Sequence, residues 1–109
     1  EIGLPRSRIE LLGALPEHEM QSGFRITPVV GWIVPPYPLE PDPFEVHDVF
    51  EAPLAHFLVC RNYQRRRYVV DGLDRRYLAI PCGGRYIWGA TAAMLYLLHQ
   101  VLRGSADCD

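Results

Sequence analysis

The apolar positions of this chain fall into short blocks separated by clusters of proline, glycine and charge, and only the last block has helical spacing. Ile9-Glu10-Leu11-Leu12-Gly13-Ala14-Leu15 alternates in part and predicts a strand. Pro16 to Gly23 is polar and turn-rich. Phe24-Arg25-Ile26-Thr27 alternates cleanly, and Pro28-Val29-Val30-Gly31-Trp32-Ile33-Val34 is apolar almost throughout. Such a strand is expected to be covered on both faces, with Pro28 marking an edge or a bulge.

Pro35, Pro36, Pro38, Pro41 and Pro43 predict a stiff surface loop. Val46-His47-Asp48-Val49-Phe50 alternates and predicts a short strand. Pro53 to Leu58 reads as a helical turn or two opened by proline. Tyr63 to Val70 and Tyr77 to Ile80 flank Asp71-Gly72, a hairpin signal. In the stretch from Thr91 to Leu102, Met94, Leu95, Leu98, Val101 and Leu102 recur at helical spacing. Gly104 would close this helix after Arg103, and residues 105–109 read as a frayed tail.

Glu1-Ile2-Gly3-Leu4-Pro5 has the pattern of a helix end, with glycine for the left-handed turn and proline beyond it. No helix precedes it in the chain. The expectation is therefore that residues 1–109 are the C-terminal portion of one longer domain. A length of 109 residues allows one domain or less. A net charge of −2 gives no basic field for nucleic acid or anionic lipid. Cys60, Cys82 and Cys108 are widely spaced and odd in number, which argues against a disulfide framework or a zinc site. With no long apolar run for a membrane span, the cytoplasm is the expected compartment.

Four stretches together resemble the Nudix hydrolases, and within them the coenzyme A pyrophosphatase branch. The Nudix signature is G-x(5)-E-x(7)-R-E-U-x-E-E-x-G-U, with U a bulky apolar residue. Glu1-Ile2-Gly3-Leu4 matches its final E-x-G-U. Ser22-Gly23-Phe24-Arg25-Ile26-Thr27-Pro28-Val29-Val30-Gly31 is similar to the S-G-F-x-V-T-P-V-V-G strand of that branch. Glu45 to Leu54 resembles its E-V-x-x-V-F-x-x-P-L stretch. Tyr86-Ile87-Trp88-Gly89-Ala90-Thr91-Ala92 resembles the I-W-G-x-T-A opening of its last helix.

The resemblance implies an α/β/α sandwich around a mixed sheet, of α+β character. It implies hydrolysis of a pyrophosphate bond, most of all in coenzyme A, to adenosine 3′,5′-bisphosphate and a phosphopantetheine product. ADP-ribose, NADH and nucleoside triphosphates are alternative substrates, and a non-catalytic binding module is a further alternative. Mg²⁺ or Mn²⁺ is the implied cofactor, because hard cations on carboxylates neutralise phosphoryl charge and activate water. The glutamates of R-E-U-x-E-E share one helix face. Only Glu1, the implied metal ligand, corresponds to them here. The other catalytic residues would lie upstream, so the fragment alone is expected to be inactive. A homodimer follows by analogy alone.

Arg65, Arg66, Arg67, Arg75 and Arg76 flank the hairpin turn. Arginine forks match phosphate oxygens, but a solvated hairpin is the plainer reading. Alternation puts Arg65 and Arg67 on one face and Arg66 on the other, so Arg65 and Arg67 are the candidate substrate ligands. Phe24, beside Ser22-Gly23, is the candidate aromatic contact to a base or pantetheine. His18 and Glu19 read as polar loop surface. His47 and His99 read as structural, and Trp32 and Trp88 as packing anchors.

Overall fold

The computed structural model describes residues 3–20, 22–34, 42–44 and 49–104. Glu1 and most of the strand expected at Val46–Phe50 lie outside them, as do most of the proline-rich loop and the tail. The described residues form strands, short 3-10 turns and one helix, an α+β fold as expected. Every strand pairing among them is antiparallel.

A 3-10 turn at Arg6–Arg8 leads into β1 (Ile9–Ala14), which pairs with β4 (Val29–Ile33) as a two-stranded ribbon. Between them, β2 (His18–Glu19) pairs with β3 (Arg25–Ile26). Pro28 has no N–H to donate and separates β3 from β4, so the long apolar run is two short strands. The expectation that this run is covered on both faces is not met. Val29 is 62% exposed and Trp32 55% exposed, because β4 has β1 as its sole strand partner among the described residues.

Double coverage is found instead on the central strand of the second half. A 3-10 turn at Leu54–Leu58 and another at Cys60–Asn62 precede β5 (Gln64–Val70), β6 (Leu73–Cys82) and β7 (Arg85–Trp88). These three strands form one sheet in the order β5-β6-β7. Neighbouring residues of a strand point to opposite faces, and Ala79 and Ile80 are both fully buried. The turn between β5 and β6 is Asp71-Gly72, with φ of 51° and 77°. Two consecutive positive φ values are what a tight type I′ hairpin requires. Gly83-Gly84, at φ 53° and 72°, makes the next turn in the same way.

Helix α1 (Gly89–Arg103) follows β7 directly, and Gly104 ends it in the left-handed conformation with its N–H on the Gln100 carbonyl. Ala92 of α1 packs with Ile80 of β6 and with Phe57 from the first 3-10 turn, and Tyr63, Leu78, Ile87 and Leu95 close around them. Tyr63 locks this core by directing its hydroxyl at the Phe57 carbonyl (2.7 Å) and the Leu95 carbonyl (3.1 Å). Burial, with a contribution from Tyr96, pushes its hydroxyl pKa up to about 12. His99 is buried, its Nδ1 3.1 Å from the Phe57 carbonyl and its Nε2 3.4 Å from Cys60 Sγ. Its structural reading therefore holds. Cys60 is disulfide-bonded, although the odd number and wide spacing argued against a disulfide framework, and Cys82 is free. Among the described residues no helix is long and apolar enough to cross a membrane.

Candidate functional site

The register of the β5–β6 hairpin concentrates positive charge. Arg65 pairs with Leu78, Arg66 with Tyr77, Arg67 with Arg76 and Tyr68 with Arg75. Arg67 and Arg76 are directly opposite, and like charges in that position destabilise a sheet. Asp74 lies 3.6 Å from Arg67, an exposed ion pair of little worth by itself. A sequence chosen for stability alone would not place these arginines face to face, whereas an anionic ligand would offset the repulsion.

A cavity of about 720 Å³ opens on this hairpin. Its walls are Arg65, Arg66, Arg67 and Tyr68 of β5, Arg75, Arg76, Tyr77 and Leu78 of β6, and Trp88 of β7. Gly89, Ala90 and Ala93 bring in the first turn of α1, and His18, Glu19, Met20 and Ser22 form the far side. The volume is in the range of small-molecule sites. Five arginines and one acidic residue, Glu19, are among the lining residues. The α1 N-terminus has no side-chain cap, so its first N–H groups add partial positive charge at the same place.

Arg65 and Arg67 both line this cavity. Arg66, on the opposite face of β5 as expected, is among the lining residues as well. Arg65 also sits 5.9 Å from the centre of the Tyr96 ring. Phe24 is 73% exposed and is not among the lining residues. His18 and Glu19, read from sequence as plain loop surface, are brought to the cavity by their pairing with Ile26 and Arg25. Trp88, read as a packing anchor, is 56% exposed and faces the cavity. The arginine flanks pointed toward this groove, but the contribution of β2 had no local signal, because a two-residue strand is too short to show alternation.

Comparison with known proteins finds no matching family model. Curated relatives do match. The chain is 30% identical over 100 residues to an uncharacterized Nudix hydrolase NudL of Photorhabdus laumondii, covering 92% of this chain and 54% of the relative. It is 34% identical over 95 residues to an uncharacterized Nudix hydrolase NudL of Escherichia coli O1:K1 / APEC, covering 87% of this chain and 50% of the relative. The matches support the Nudix superfamily. The chain spans about half the length of these Nudix relatives.

Nudix hydrolases generally use divalent metals, which need a cluster of donor side chains. Among them no group of three His, Cys, Asp or Glu side chains is placed to hold a metal ion. Glu1, the ligand implied by the Nudix signature, lies outside the described residues. The described residues on their own therefore do not fit a divalent-metal site, and the chemistry they offer is binding: phosphate neutralisation by arginine and a helix start, beside a wall of aromatic rings.

Proposed function

We propose that this chain is the C-terminal portion of a Nudix hydrolase domain and supplies the substrate-gripping groove of an enzyme that cleaves a pyrophosphate bond, most of all in coenzyme A or its derivatives. The observation that carries this reading is the 720 Å³ cavity with five arginines around the uncapped start of α1. A pyrophosphate linkage carries several negative charges in a short span, and guanidinium forks bind such oxygens in pairs. Arg65 and Arg67 would hold phosphates and orient the linkage. Glu1 is the residue of this chain that would contribute to Mg²⁺ or Mn²⁺ binding, with the remaining ligands upstream, and the cation would supply charge neutralisation and an activated water. A cytoplasmic enzyme, monomeric or homodimeric, fits this reading.

The test is incubation of full-length protein with coenzyme A and Mg²⁺, followed by chromatography of the phosphate products. Adenosine 3′,5′-bisphosphate and phosphopantetheine should appear together. Their absence, with turnover of ADP-ribose, NADH or a nucleoside triphosphate, would move the substrate within the hydrolases. Tight binding without any product would favour a non-catalytic module.

A further inference from the structure

The sheet face turned away from the Leu78–Ile80 core carries a row of aromatic rings. Tyr68, Tyr77 and Trp88 share this face, as their pairings with Arg75, Arg66 and Ala79 require. Tyr68 meets Tyr77 at 5.8 Å between ring centres and 60° between planes, and Tyr77 meets Trp88 at 5.7 Å and 73°. These are edge-to-face contacts, each of which covers one face of one ring and leaves that ring's other face unused by the pair. All three rings line the cavity, and Tyr68 and Trp88 are about half exposed. The Tyr77 hydroxyl is held in place by Tyr86, 3.2 Å away.

Charge lies along the same row. Arg66 directs Nε and Nη2 to Gln64 Oε1 at 3.1 and 2.7 Å, which fixes its plane and leaves its other N–H groups for a ligand. Arg75 stands opposite Tyr68. Open aromatic faces flanked by oriented guanidinium groups fit a planar base joined to phosphate. A bare polyphosphate would gain nothing from the rings, and a pantetheine arm has no ring to stack.

We infer that Tyr68, Tyr77 and Trp88 form a nucleobase seat, so that this chain grips the nucleoside-phosphate half of the substrate and leaves the other half to be recognised elsewhere. This deepens the proposed function and rests on it for the pyrophosphate linkage, but not for the binding itself.

The test is calorimetric titration of the full-length protein, without added metal, with three probes: adenosine 3′,5′-bisphosphate, ribose 5-phosphate and phosphopantetheine. Trp88→Leu should weaken the bisphosphate by about tenfold, since base–aromatic stacking has that magnitude. Trp88→Phe should stay within about twofold of the parent, because the aromatic face is retained. Neither change should move ribose 5-phosphate, which has no base. Because Trp88 precedes α1, Tyr68→Leu provides the same test at the far end of the row. Bisphosphate binding that is undetectable, or untouched by both leucine variants, would overturn the inference. So would equal losses for ribose 5-phosphate, or losses confined to phosphopantetheine. Base-dependent binding in a protein that hydrolyses nothing would reject the hydrolase and leave the seat standing.

Discussion

Tyr63 joins three elements through one hydroxyl, reaching Phe57 in the first 3-10 turn and Leu95 in α1 from the start of β5. Tyr63→Phe keeps the ring and removes those hydrogen bonds, so stability in denaturant should fall by about 1 kcal/mol. The pH dependence has a definite sign. Unfolded tyrosine titrates near 10 and folded Tyr63 near 12, so its contribution is complete below pH 10 and is lost as pH rises through 12. Wild-type stability should drop more steeply over that window than that of the phenylalanine variant. Gly89 gives a second residue-scale test. Its φ is 68°, and a Cβ there would meet no atom within 4 Å. Gly89→Ala should therefore cost about 1–2 kcal/mol from the backbone alone, read as a lowered denaturation midpoint with helical circular dichroism retained. At this scale the sequence was legible where residue type makes a candidate, as with Arg65 and Arg67, which line the cavity and whose role there is a proposal. It was not legible where exposure decides: Phe24 and Trp88 are both aromatic residues near turns, and it is the fold that turns Trp88 toward the cavity.

The β5–β6 hairpin is the element in which stability and binding oppose each other. Arg67 faces Arg76 across the ladder and has Asp74 3.6 Å away. Arg67→Ala removes one repulsion and one exposed ion pair. These effects have similar size and opposite sign, so the free protein should change by no more than about 0.5 kcal/mol in denaturant. On the proposed function, coenzyme A binding should weaken by about tenfold, the scale of a lost charge-assisted hydrogen bond, and the loss should shrink as salt is raised. Asp71-Gly72 made this hairpin readable, since few residue pairs accept two positive φ values. Gly83-Gly84 carries the same signal, yet β7 has too few residues for its own periodicity to show. The apolar run at Pro28–Val34 misled for the opposite reason. Its composition suits a strand covered on both faces, but coverage is a property of neighbouring elements and not of the run itself.

At the scale of the molecule, the described residues leave an apolar ribbon uncovered. Leu11, Leu12, Val29, Trp32 and Val34 are all exposed on or beside the β1–β4 ribbon, in which each strand has one partner among the described residues. An exposed apolar ribbon with open edges pairs readily with other chains. The 109-residue chain produced alone should therefore self-associate, and light scattering after size exclusion should show little monomer at micromolar concentration. On the proposal that residues 1–109 belong to a larger domain, the full-length protein should run as a discrete species with one cooperative melt, the rest of that domain covering the ribbon. Charged substitutions Leu11→Lys and Val29→Glu should restore monomer to the short chain by blocking edge-to-edge and face-to-face contact. The same substitutions should destabilise the full-length protein, where burying an unpaired charge is costly. A short chain that is monomeric and melts cooperatively would show that the ribbon needs no cover, and the reading of residues 1–109 as part of a larger domain would lose its physical basis.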